Sequence, residues 1–239
     1  MNQILVSEKL YVTPDMKKKK KFFKFEFFLS VFLVCILSSY GIYAEYDRSK
    51  SEKVSQEILA DLNIEEKEEK LEKIVVVLNA AFNEEQNVIE VPEDTSETPS
   101  IQVATSADGT EYYTIGTINI PSIGVNYPIL SETTTELLKI SPCKFWGADP
   151  NQVGNFCIVG HNYRNRLFFS KVPTLEEGDI IEITDLSGVT LEYIIYDKFT
   201  IEPDNTECTS QRTNGRKEVT IITCTDDGSQ RVVVKAREN

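Results

Sequence analysis

The chain holds one histidine, His161, in "IVGHNYRNR", where an apolar run breaks into a polar loop. A lone histidine is most often a surface or satisfied core residue, so it gains meaning only from a partner. The segment "VTIITCTDDGSQRVVV" (residues 219–234) supplies two. Side chains alternate faces along a strand, so Thr220, Ile222 and Cys224 share one face. Cys224 closes that strand, "TDDGSQ" forms the turn, and Arg231 opens the next strand. In an unbulged hairpin the two residues lie opposite each other, with Cβ atoms about 4.5–5.5 Å apart.

A thiol facing a guanidinium at a strand end suits a nucleophile beside a fixed charge better than it suits packing. Thiolate is the attacking species, and a free cysteine titrates near pH ~8.5. Histidine, near ~6.5, can protonate a leaving amine. Arginine stays charged and can hold the oxyanion of a tetrahedral intermediate or orient a carbonyl. With unperturbed values, only about 1% of molecules near neutral pH hold thiolate and imidazolium together. An enzyme using that pair is slow because its active form is scarce.

These residues need strands to present them. Short β-type runs cover 114–120, 125–130, 155–160, 179–184, 191–201, 218–224 and 231–236. "DLSG" at 185–188 separates two of them as a hairpin turn does. "TTTELLKI" (133–140) and "RNRLFFSKV" (164–172) read as short helices between strands. Seven or eight short strands in the last part of the chain predict a closed, mainly antiparallel barrel. The domain begins near Tyr112 and runs to Asn239, so 112–239 is the catalytic unit.

Upstream, the charge is uneven. Residues 1–44 carry a net +4, residues 45–111 a net −12 and the remainder −5, within a total of −13. No basic field exists that would hold phosphates, which argues against nucleic acid as a partner. Lys17 to Lys21 form an unbroken basic run that closes a cytoplasmic segment, 1–21, and Lys24 follows. "FFLSVFLVCILSSYGIYA" (27–44) is uncharged and just long enough for a helix across the bilayer, so 22–44 reads as a membrane anchor. The lysines stay cytoplasmic and the rest lies outside. Ile42 before Ala44 fits a signal-peptidase site poorly, which favours an uncleaved anchor, and Met16 is the expected start of translation.

Residues 45–111 read as an acidic helical stalk and linker. Val54, Ile58 and Leu62 step by four, and Leu71, Ile74, Leu78 and Phe82 by three or four. A solvated stalk is the favoured reading, with a coiled-coil seam or a helix packed back on the domain as alternatives. "VPEDTSETPS" (91–100) breaks the pattern, and disorder is expected through about Gly109. Of five cysteines, Cys35 lies in the anchor. Cys143 and Cys157 read as core residues. Cys208 is open between an incidental thiol and a regulatory or disulfide-forming one. With no CxxC pair and one histidine, a structural metal site is not expected.

At His161 in "VGHN", Cys224 in "TIITC" and Arg231 seven residues later, the sequence resembles the sortases, cysteine transpeptidases of Gram-positive cell surfaces. The order His, Cys, Arg, the N-terminal anchor and the last hairpin all agree, and the likeness runs from about Tyr113 to the end. The resemblance implies an eight-stranded β-barrel. It also implies that Cys224 attacks the Thr–Gly bond of an LPXTG-like sorting signal on a surface protein. The thioester then passes to an amine of a peptidoglycan precursor or of a pilin lysine. In that scheme His161 is general acid then base, and Arg231 stabilises the intermediate. Thr223 and Asn162 are expected to meet the substrate, and the loop 202–217 to select it. The chemistry requires no cofactor; some members bind calcium, and nothing here indicates it. The chain ends soon after the barrel and lacks an Asp-Pro-aromatic lid motif, which points to wall anchoring of the class D or B type. The alternatives are a pilin-polymerising member and a non-catalytic binding barrel on a stalk. A papain-like protease is excluded because its cysteine precedes its histidine.

Overall fold

A computed structural model describes residues 14–82 and 101–239. The expected break at 91–100 and the residues ahead of position 14 lie outside the described residues. The chain falls into two compact units, residues 1–48 and 49–239.

Helix α1 (Pro14–Phe82) contains one stretch, Lys18–Leu62, that is long and apolar enough to cross a membrane. In the first unit, apolar side chains from Phe22 to Tyr46 are exposed around the helix.

The second unit is a β-barrel. Its strands are β1 (Gln102–Thr105), β2 (Glu111–Ile120), β3 (Val125–Leu130), β4 (Cys143–Gly147), β5 (Gly154–Val159), β6 (Ile180–Asp185), β7 (Thr190–Ile201), β8 (Lys217–Cys224) and β9 (Arg231–Glu238). The order is β1-β2-β3-β4-β5-β8-β9-β7-β6, and β6 pairs back onto β2. Strands β2 to β9 thus close an eight-stranded barrel, which removes the free edges of an open sheet. β1 continues along β2 beyond the end of β6. Gly116, at φ 153°, allows that closure, since a Cβ there would stand 2.4 Å from the Thr184 carbonyl oxygen.

Alternation produces the core. Ile118 and Ile120 of β2, Phe156 and Ile158 of β5, Val219 and Ile221 of β8 and Val234 and Ala236 of β9 all face one interior. Each fully buried isoleucine or phenylalanine contributes about 1.5–3 kcal/mol relative to exposure. A second small cluster lies on the outer face, where Ile222 and Val233 pack against Cys208, Phe199 and Ile201.

Several expectations change. The expected strands are present, while β4 and β1 come in addition. Residues 164–172 are not a helix: Arg164 and Phe168 take φ of 56° and 48°, and a 3-10 turn, Val172–Thr174, follows. The expected helix at 133–140 shortens to α2 (Leu137–Ile140). Residues 102–105, expected to be disordered, are paired to β2.

The stalk differs most. Ser51, Ser55, Ile58, Leu59 and Leu62 are buried against the barrel, where Ile58 and Leu62 meet Ala104, Val54, Tyr112 and Ile140. Its acidic residues are not merely solvated. Asp61 Oδ2 accepts the Thr105 N–H at 2.8 Å and Glu57 Oε2 the Ala107 N–H at 3.1 Å. One amide at the end of β1 and one just beyond it are thereby satisfied by helix carboxylates.

Candidate active site

The parallel pair β5–β8 places the histidine. Val159 is opposite Ile222, and the Gly160 N–H donates to the Ile222 carbonyl at 3.2 Å, so two residues on His161 reaches the level of Cys224. The antiparallel pair β8–β9 ends with Cys224 opposite Arg231. His161, Cys224 and Arg231 therefore stand at one end of three adjacent strands, β5, β8 and β9.

Facing follows from alternation. Cys224 shares the face of Ile222, and Arg231 that of Val233, and both of those residues belong to the outer cluster. The candidate site thus opens on the outside of the barrel above an apolar floor. Cys224 is half-buried. The loop from β7 to β8 covers that floor through its 3-10 turn, Glu207–Thr209, with Cys208 6% exposed.

Asn155, fully buried in β5, anchors this loop. Its Nδ2 donates to the Cys208 and Ser210 carbonyls at 3.0 and 3.1 Å, and its Oδ1 accepts the Thr220 hydroxyl at 2.7 Å. Gln211 completes the clamp, accepting the Asn155 N–H at 3.0 Å and donating to its carbonyl at 2.9 Å. Gly147 makes room, for a Cβ there would lie 2.1 Å from the Asn155 carbonyl oxygen. Nothing in the strand pattern marks Asn155 as more than an interruption of an apolar run. Its isolation between Gly154 and Phe156 was the available signal.

His161 is partly buried, its ring 5.0 Å from that of Tyr163. Burial, and then the positive charge of Lys139, holds its imidazole below the ordinary value of 6.5. Arg231 Nη1 donates to the carbonyls of Gln230 and Gly228 at 3.1 and 3.4 Å, which turns its guanidinium along its own hairpin.

Thr223 and Asn162, both expected to contact substrate, have other partners. Thr223 is 1% exposed, and its hydroxyl donates to the Gly160 carbonyl at 2.8 Å. It faces inward, opposite to Cys224, and braces the end of β5. Alternation along β8 already implied this. Asn162 Nδ2 donates to the Cys224 carbonyl and to Asp226 Oδ1, both at 3.0 Å, so it clasps the histidine loop to the cysteine hairpin. Asp226, read from sequence as a turn residue alone, is the second half of that clasp.

All five cysteines are free thiols. Burial pushes Cys143 and Cys157 each up to about 12, which leaves them inert as nucleophiles. Among the described residues, no group of three His, Cys, Asp or Glu side chains is placed to hold a metal ion.

Over the barrel the chain is similar to known proteins. The family model described as "Sortase domain" matches residues 118–239. Sortase A of Bacillus anthracis is 30% identical over 142 residues, covering 57% of this chain and 65% of the relative. Sortase A of Listeria monocytogenes is 29% identical over 111 residues, covering 46% and 49%. The chain thus spans less than two thirds of either relative's length. Among solved structures, sortase A from Corynebacterium diphtheriae superposes with a TM-score of 0.50 at 28% identity, over 54% of this chain and 62% of that one.

Proposed function

Because the chain belongs to the sortase family, we propose that it is a membrane-anchored cysteine transpeptidase that cleaves an LPXTG-like sorting signal between Thr and Gly. The observation that carries the reading is the register that brings His161, Cys224 and Arg231 to one end of adjacent strands beside the outer apolar cluster. The partly exposed Phe199 and Ile201 at the edge of that cluster suit the leucine and proline of such a signal.

The reaction runs in two steps. The Cys224 thiolate attacks the threonine carbonyl carbon, and Arg231 faces the resulting oxyanion. The C–N bond then breaks, the glycine nitrogen takes the proton of the His161 imidazolium, and a thioester remains. An incoming amine attacks that thioester and gives its proton to His161. The new amide forms as the thiolate leaves, restoring the starting pair. Burial, which lowers His161, disfavours its imidazolium form in the resting site. The acceptor is the amine of a wall precursor. The uncharged helix within Lys18–Leu62 anchors the chain, with the lysine run on the cytoplasmic side.

Full-length protein in detergent micelles, incubated with LPXTG- and NPXTN-type peptides and an amine, tests this. Mass spectrometry should find a Thr-linked acyl adduct on Cys224 and an amide product, both absent in Cys224→Ala. A parent that forms neither with any signal would be a binding barrel.

A further inference from the structure

The loop that carries His161 adopts a shape its own sequence disfavours. Phe168 sits at φ 48°, in the left-handed region where a bulky side chain is strained, and it is 1% exposed. Such a conformation persists only where its surroundings over-determine it. The Phe168 N–H donates to the Tyr127 hydroxyl at 3.1 Å, and the two rings lie 5.2 Å apart.

From Phe168 the contacts lead to the histidine by two routes. Its ring meets that of Tyr163 edge-on at 5.6 Å, and Tyr163 lies 5.0 Å from the His161 ring. Its neighbour Phe169 donates its N–H to the His161 carbonyl at 3.1 Å. The Phe169 ring also fills the space beside Gly160, where a Cβ would come within 2.5 Å.

Tyr127 is held in turn from outside the barrel. Its hydroxyl has one proton to give, and gives it to Glu52 Oε2 at 2.9 Å. Burial raises the phenol far above its ordinary range, so it keeps that proton. Glu52 lies on the part of α1 docked to the barrel. Ser55 Oγ there reaches Ser141 Oγ at 3.1 Å, and Gln56 Nε2 reaches the Asn126 carbonyl at 3.3 Å.

We propose that Glu52 and Tyr127 are positioning residues for His161: the docked helix, through one phenol, holds the acid–base loop in its left-handed shape. This rests on the reading of His161 as the acid and base of the reaction. It makes residues 49–62 part of the working enzyme rather than a tether.

The test uses full-length protein in micelles and two readouts. Tyr127→Phe should lower the kcat of transpeptidation about 10- to 100-fold, with the KM for the sorting peptide within about twofold. Glu52→Leu should act in the same direction. Glu52→Gln keeps an oxygen that can accept the phenol proton and should stay near the parent. The second readout exploits the single histidine: one imidazole Cε1–H resonance reports on this site alone. Tyr127→Phe and Glu52→Leu should shift or broaden it, and Glu52→Gln should not.

If kcat and the resonance both stay at parental values in Tyr127→Phe and Glu52→Leu, the proposal is overturned. A parallel loss in kcat and rise in KM with an unmoved resonance also overturns it, since that pattern marks a change in peptide binding. Should Tyr127→Phe not fold, Glu52→Leu at its half-buried helix position carries the same test. A parent inactive on every signal, whose histidine resonance still responds to Glu52→Leu, would remove the transpeptidase reading and leave the coupling standing.

Discussion

Cys224 and Arg231 sit on a hairpin that is regular from Glu218 opposite Arg237 to Cys224 opposite Arg231. Its turn is built from its own residues: Asp227 accepts from the Thr225 and Ser229 hydroxyls and the Ser229 N–H, with Gly228 at φ 76°. Those bonds hold the Asp227 carboxyl down to about 2. The His161 loop also has bonds of its own, such as the Phe169 N–H to the His161 carbonyl and the Tyr163 N–H to Ser170 Oγ, both at 3.1 Å, but it leans on distant segments as well. It carries two non-glycine residues at positive φ and is fixed by Tyr127, 41 positions from Phe168, and by an Asn162 bond spanning 62 positions to Cys224. The opposition of Cys224 to Arg231 is therefore a local product of the chain, whereas the placement of His161 beside them is a tertiary one. The candidate site is divided between a part that forms with its own strand pair and a part that is placed only once the barrel is closed.

The sharpest way to break that contrast is on the hairpin. Cys224→Ala should abolish the acyl adduct, while its melting temperature stays within a few degrees of the parent because the pairing is untouched. Arg231→Lys keeps the charge but not the planar fork, and kcat/KM should fall about 10²–10³-fold in the peptide assay. An unchanged rate would mean that register alone, without the guanidinium, suffices.

Asn162→Ala cuts the clasp between the two regions. Rate should fall about tenfold, with Cys224 still alkylated by iodoacetamide as in the parent. Equal loss in both assays would show that the hairpin depends on the loop as well. Thr223→Val leaves the Gly160 carbonyl without its hydroxyl partner and should cost about 1–3 kcal/mol in urea unfolding.

The smallest effect is in pH. His161 is harder to protonate in the fold than in the unfolded chain, so the unfolded state binds more protons as the pH drops below the ordinary value of 6.5. The residue should subtract stability progressively below that point and nothing above it. Urea titrations at pH 5.5 and 7.5 should show His161→Gln gaining on the parent at the lower pH only. A gain of equal size at both would place the histidine in a fully solvated setting.

Legibility from sequence follows the same division. The strands at 125–130 and 218–224 stand where apolar alternation put them. Strand β4 escaped notice because a bulge between Lys144 and Trp146 breaks its alternation and Gly147 ends it at φ 83°. β1 has four residues, too few for a pattern. Residues 164–172 carry helix-like apolar spacing, and only packing of Phe168 and Phe169 overrides it. Acidic residues of the helix looked solvated because their donors, the N–H groups of Thr105 and Ala107, are backbone groups that no side-chain pattern reveals.

What the sequence determined by itself is the set of reactive groups, the hairpin that opposes Cys224 to Arg231, and an apolar helix long enough to span a bilayer. Each depends on neighbours close along the chain, where side-chain type and period carry the information. Tertiary structure alone decided that His161 joins them, because parallel pairing of β5 with β8 needs a long connection and leaves no local mark. It also decided the left-handed turn at Phe168 and the docking of Glu52 onto Tyr127. Those are contacts between distant segments, and they take effect only when the closed barrel brings the segments together.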